Sequence, residues 1–139
     1  MTRGGIKFRW SRGQNAVEFS MVATAFLLFL TGVMLMSEAV LDYNSMSSAA
    51  EEAVRYAVAN GPNSPSPAST LQIQQVAMTT ATSVPLTTSN ITVSWVTDAN
   101  MATRQDAKVV VAYDFPLKIP WMTKVTLHLS ATSQMMASQ

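Results

Sequence analysis

Cysteine is absent from the 139 residues, which excludes a disulfide framework and thiolate zinc sites but leaves the redox compartment open. Histidine occurs once, at position 128, on the polar phase of an alternating stretch and with no Ser/Asp or metal-ligand motif around it, so it reads as an exposed sheet residue and not a catalytic base. Charge is sparse, at 12% of residues, and uneven: Arg3, Lys7, Arg9 and Arg12 all precede residue 14, leaving five basic against eight acidic residues in the remainder. No basic patch survives outside that short segment, which argues against nucleic-acid binding. The acidic residues do not assemble a site on paper either. Adjacent Glu51 and Glu52 point in different helix directions, and Asp98, Asp106 and Asp114, placed in loops or at a strand end, lack the spacing of a calcium loop. These absences lead to an expectation of no enzymatic activity, no cofactor and no metal. The length excludes two ordinary domains and leaves room for one core and an appendage.

What the chain has in quantity is apolar surface in one place. Residues 1–12 are basic and carry Phe8 and Trp10, side chains suited to a water–lipid interface. From Phe19 to Ser37 no charge occurs, and at ~1.5 Å per residue this stretch spans roughly 28 Å, the thickness of a bilayer's hydrocarbon core. Positive charge before it and Glu38 and Asp42 after it place the N-terminus in the cytoplasm and export the residues after 38. Neither Gly nor Pro interrupts Val33 to Asn60, so the helix is expected to continue beyond the membrane, from about Asn15 to Ala59. Tyr43, Met46, Ala50, Ala53 and Ala57 form a stripe of mostly small residues at spacings of three and four. Glu51 and Arg55 make an acid-before-base pair off that stripe.

Three prolines between Gly61 and Pro67 mark a loop. Ser69 and Gln72 resemble a capping box, and Ile73, Val76, Ala77, Thr80, Ala81 and Val84 predict a second helix ended by Pro85. The period then becomes two: Ile91, Val93 and Trp95; Ala107 to Phe115; Val125, Leu127 and Leu129. Val110 and Ala112 make the middle run apolar on both faces, as in a central strand. The expected fold is α+β, a long N-terminal helix packed on a small three-stranded antiparallel sheet with a second short helix. The Ala-rich half of the long helix is the natural cover for one sheet face. The connection Pro116 to Trp121 combines prolines with large apolar groups, and Trp121 is expected in the core. Asn90-Ile91-Thr92 fits a glycosylation triplet, a pattern common by chance.

Before the apolar run, the stretch Arg12-Gly13-Gln14-Asn15-Ala16-Val17-Glu18-Phe19 holds the only carboxylate of the first 37 residues. Gly13, Glu18 five positions later, an aromatic at Phe19, the basic residues before and the apolar helix after resemble the processing site of type IV prepilins. With the long Ala-rich helix and the closing Leu129-Ser130-Ala131-Thr132-Ser133-Gln134-Met135-Met136, the chain is similar to TadE-like pseudopilins of the tight-adherence (Tad, type IVb, Flp) pilus system. The resemblance covers most of the chain, specifically at the N-terminal motif and loosely in the sheet.

The resemblance implies a basic leader at 1–13, a transmembrane helix at 14–37, its exported continuation at 38–60 and an α+β head at 61–139. It implies cleavage between Gly13 and Gln14 by a membrane aspartyl prepilin peptidase, with Glu18 and Phe19 acting in assembly. Partners would be other pilin or pseudopilin subunits, the Tad assembly machinery and membrane lipid, in the inner membrane or in the pilus. The head exceeds what a major Tad pilin carries, which implies a minor, priming or tip role. Independently of family, a carboxylate at the edge of a membrane helix favours a partner; the partner that the resemblance to pilins implies is the free α-amine of Gln14 on a neighbouring subunit. A Glu near a helix N-terminus is also favourable simply as a cap. Two other readings of the N-terminus stay open: a secretory signal cut after Ser37-Glu38-Ala39 that frees an exported binding domain, and an uncleaved signal anchor. Against the first, the apolar run exceeds the ~7–15 residues of a signal core.

Overall fold

The computed structural model describes residues 11–62, 64–98, 101–118 and 125–136, and at residues 11, 12, 98 and 101–104 the backbone only. The basic residues up to Trp10 and the connection 119–124, with Trp121, lie outside the described residues. In chain order the elements are α1 (Ser11–Ala59), α2 (Thr70–Thr80), a 3-10 turn (Thr88–Asn90), β1 (Ile91–Asp98), β2 (Met101–Leu117) and β3 (Val125–Met136). The α+β architecture read from the sequence is the one observed. The chain divides into two compact units, Met1–Met36 and Ser37–Gln139.

In the first unit, α1 begins at Ser11, earlier than the expected Asn15, because nothing from Ser11 to Asn15 breaks a helix. A single Gly costs about 1 kcal/mol in a helix interior, less than is needed to end one that is already propagating.

In the second unit, the buried residues of α1 are Ala39, Met46, Ala49, Ala50, Ala53, Val54 and Ala57. From Met46 on they join Ile91, Val109, Val111 and Ala131 of the sheet in one core. Most of the helix side chains in this core are small, and Met46 and Val54 supply its bulk from α1, with Ile73, Val109 and Val111 from the other elements. Tyr43 stands outside this core, 45% exposed between buried Ala39 and Met46, and corrects the expected stripe, whose core face also includes Ala49 and Val54. Glu51, Glu52 and Arg55 are exposed on the opposite side.

The second helix has the capping box its sequence announces, with Ser69 accepting from the Gln72 backbone N–H and the Gln72 side chain accepting from that of Ser69. It ends at Thr80, not Val84. Val84 precedes Pro85 and is biased towards extended backbone, while the Thr79 and Thr80 hydroxyls donate back to carbonyls one turn earlier. Ala81 and Val84 are nonetheless buried in the core. Gln74 ties α2 to the start of β1, its Nε2 donating to the carbonyls of Thr88 and Ile91 at 3.2 and 2.9 Å.

The sheet order is β1-β2-β3, antiparallel throughout. β2 is the central strand, as its two-sided apolar pattern predicts. Val110 lies in register between Thr92 and Thr132, which shield it on the outer face. β2 and β3 run further than the alternating apolar residues indicate, because pairing of Asp106–Val111 with Ala131–Met136 continues the ladder through polar residues. Asp106 and Asp114 therefore lie within β2, not in loops. Ala53→Leu would force four-carbon bulk into a fully buried methyl site. It is expected to destabilise the protein by about 1–3 kcal/mol, read as a lower midpoint in denaturant unfolding, whereas Glu52→Leu on the exposed side leaves the midpoint nearly unchanged.

Candidate functional site

The helical stretch before Ser37 has its apolar side chains uncovered. Phe19 is 73% exposed and Met34 74%, and Val17, Met21, Val22, Phe26, Leu27, Leu28, Phe29, Leu30, Val33 and Met36 are exposed with them. Contiguous apolar surface on this scale marks a membrane or protein contact and is not a normal solvated helix face. α1 is long and apolar enough to cross a membrane, and none of its most apolar window is buried in this chain. The long apolar helix fits a single-pass membrane anchor.

Local hydrogen bonding suits that environment. Ser20 Oγ donates to the Ala16 carbonyl at 2.7 Å, Thr24 Oγ1 to that of Ser20 at 2.8 Å, and Thr31 Oγ1 to that of Leu27 at 2.9 Å. Each hydroxyl is satisfied within the helix, which lowers the cost of placing it in hydrocarbon. Glu18 is the remaining ionisable side chain between Gly13 and Ser37, and it is exposed.

The structure places Gly13, Gln14, Glu18 and Phe19 on consecutive turns of α1, all exposed. Nothing lies within 4 Å of where a Cβ on Gly13 would stand, so the fold of this chain gives no steric reason for glycine there. The same holds for Gly32, whereas a Cβ on Gly61 would meet the carbonyls of Ala57 and Val58 and the Trp95 ring in ordinary van der Waals contact.

Among the described residues, no three His, Cys, Asp or Glu side chains gather into a potential metal site. His128 is exposed on β3 as expected, but its Nδ1 lies 2.6 Å from Asp114 Oδ1, directly across the strand pair. Both side chains are about 70% exposed, and surface pairs of this kind contribute little. That partnership depends on the β2–β3 register, which the residue pattern alone does not supply. Asn90, of the possible glycosylation triplet, is engaged in the fold: its Oδ1 accepts from the Thr87 backbone N–H and its Nδ2 donates to the Ala112 carbonyl, both at 3.0 Å.

A family model for TadE-like proteins matches residues 13–55. The matched segment opens at Gly13 and covers nearly all of α1, leaving α2 and the sheet outside. Comparisons with curated proteins and with solved structures find no match for this chain. Lys in place of both Leu27 and Leu28 costs about 2.5–3.5 kcal/mol per residue near the middle of a membrane helix. The double variant is expected to shift the chain out of the carbonate-resistant membrane fraction, with the native chain retained there.

Proposed function

We propose that this chain is a minor pilin or pseudopilin that acts in assembly of a Tad-type (type IVb, Flp) pilus, a structural protein and not an enzyme. The observation that carries the reading is the uncovered apolar helix with a single carboxylate near its start, within the segment that matches TadE-like proteins. The helix from Gln14 to Ser37 inserts in the inner membrane. Basic residues keep the N-terminus in the cytoplasm, and the head from residue 61 lies outside. A membrane prepilin peptidase hydrolyses the Gly13–Gln14 bond: water supplies OH to the Gly13 carbonyl carbon and a proton to the Gln14 nitrogen as the C–N bond breaks.

Cleavage leaves the apolar helix in place and creates an α-amine on Gln14. On a packed neighbouring subunit that amine pairs with Glu18, which cancels two charges in low-dielectric surroundings and fixes the axial stagger of the helices. The exposed apolar side chains then pack against other pilin helices in place of lipid. Phe19, next to the carboxylate, supplies apolar contact beside the pair. The empty space around Gly13 supports a requirement set by the peptidase cleft and not by the fold, since a backbone without Cβ can be approached closely.

Two variants test this. Gly13→Val is expected to retain the leader, visible as a chain of full precursor mass in peptidase-positive cells; efficient cleavage before Gln14 in that variant would remove Gly13 from the site. Glu18→Ala is expected to be cleaved and inserted normally while surface pili fall severely, because a low-dielectric charge left without its partner costs about 3–5 kcal/mol. Normal piliation with Ala at position 18 would refute the pairing.

A further inference from the structure

The Gly13–Gln14 bond lies inside α1, which is already helical at Ser11. In an α-helix the Gly13 carbonyl accepts from the Val17 N–H, and the helix side chains crowd the faces from which a nucleophile would approach its carbon. A peptidase reaches that carbon only when the backbone is extended in its cleft with this bond open. We propose that leader removal is gated by local unwinding of α1 around Ser11–Ala16, a step built into the sequence of the helix. This rests on the processing reading above and adds its rate-controlling conformation.

The N-terminal turns are suited to opening. Ser11, Gly13 and Asn15 are all weaker helix formers than Ala, and Gly13 is the weakest of the three. Residues 13–20 are exposed, so their helical form is held by local hydrogen bonds and not by packing.

Opening is also bounded. The hydroxyls of Ser20, Thr24 and Thr31 are each satisfied by a carbonyl of their own helix, so α1 can run on into an apolar environment with these groups paired. Beyond Phe19 the backbone enters the apolar run, where unpaired N–H and C=O groups in lipid are strongly disfavoured. The weak turn therefore ends where the apolar run begins, and unwinding exposes the scissile bond without drawing the anchor out of the bilayer.

The test uses the full-length precursor and a prepilin peptidase reconstituted together in lipid vesicles, with the rate of leader loss and the new N-terminus both measured. Asn15→Ala, which strengthens the helix, is expected to slow cleavage about threefold, and Ala16→Gly, which weakens it, to speed cleavage about fivefold. The double variant is expected to return to within about twofold of the native rate. Amide exchange at Gln14 to Val17 in the uncleaved precursor should rise and fall in the same order, a correlation that a side-chain contact with the peptidase would not produce. Cleavage before Gln14 at rates unrelated to amide exchange would overturn the gating and leave the processing site standing. Retention of the leader by the native chain would overturn the processing reading itself, and the gating with it.

Discussion

The core that the Ala-rich face of α1 shares with the sheet is the feature on which the second unit of the chain depends. Ala49, Ala50, Ala53 and Ala57 contribute little apolar area each, and together with Met46 and Val54 they belong to the cluster in which Val109, Val111 and Ile91 lose contact with water. The three strands have one face that needs cover, and α2 alone, eleven residues held at the start of β1 through Gln74, is too short to supply it. Fully buried methyl groups also make this helix face intolerant of larger residues. The same helix therefore carries opposite demands along its length: small side chains where it meets the sheet, and large, uncovered ones before Ser37.

Those uncovered side chains define a solvent that is not water. In that setting each polar group between Gly13 and Ser37 is a liability unless it is satisfied, and Ser20, Thr24 and Thr31 are satisfied by their own helix. Glu18 has no equivalent local solution of that kind, because a carboxylate only accepts hydrogen bonds and the helix N–H groups around it are engaged. On the proposed reading its need is met by a positive group delivered to the same depth, and hydrolysis after Gly13 makes that group at the start of the retained helix. Processing and assembly then become two stages of one electrostatic problem, with the glycine serving the first and the carboxylate the second.

Much of this was legible from residues alone because it rests on local patterns. The uncharged run, the small-residue periodicity, the Ser69–Gln72 box and the alternation in three strands each arise from short-range chemistry, and the observed elements carry them. The features that were not legible depend on contacts between distant parts. Tyr43 has the spacing of the buried stripe but stays exposed between buried Ala39 and Met46. The polar ends of β2 and β3 pair because the ladder recruits them, although Thr132, Ser133 and Gln134 lack a strand-like apolar alternation. His128 and Asp114 meet through register, and Asn90 serves the turn before β1 although its triplet suggests modification. At the candidate site, Gly13 and Glu18 stand out in the sequence because of what surrounds them; the structure adds that Gly13 has no packing duty and that the bond after it is helical.

The central claim is that the apolar helix is retained and begins at a residue made N-terminal by cleavage. The most direct test is the N-terminal residue of the chain recovered from the membranes of its native cells. The account predicts Gln14, with the whole of the apolar helix still attached to the head. A chain beginning at Val40 would make the helix a discarded secretory signal, and one that still carries residues 1–13 would make it an uncleaved anchor; either result contradicts the account.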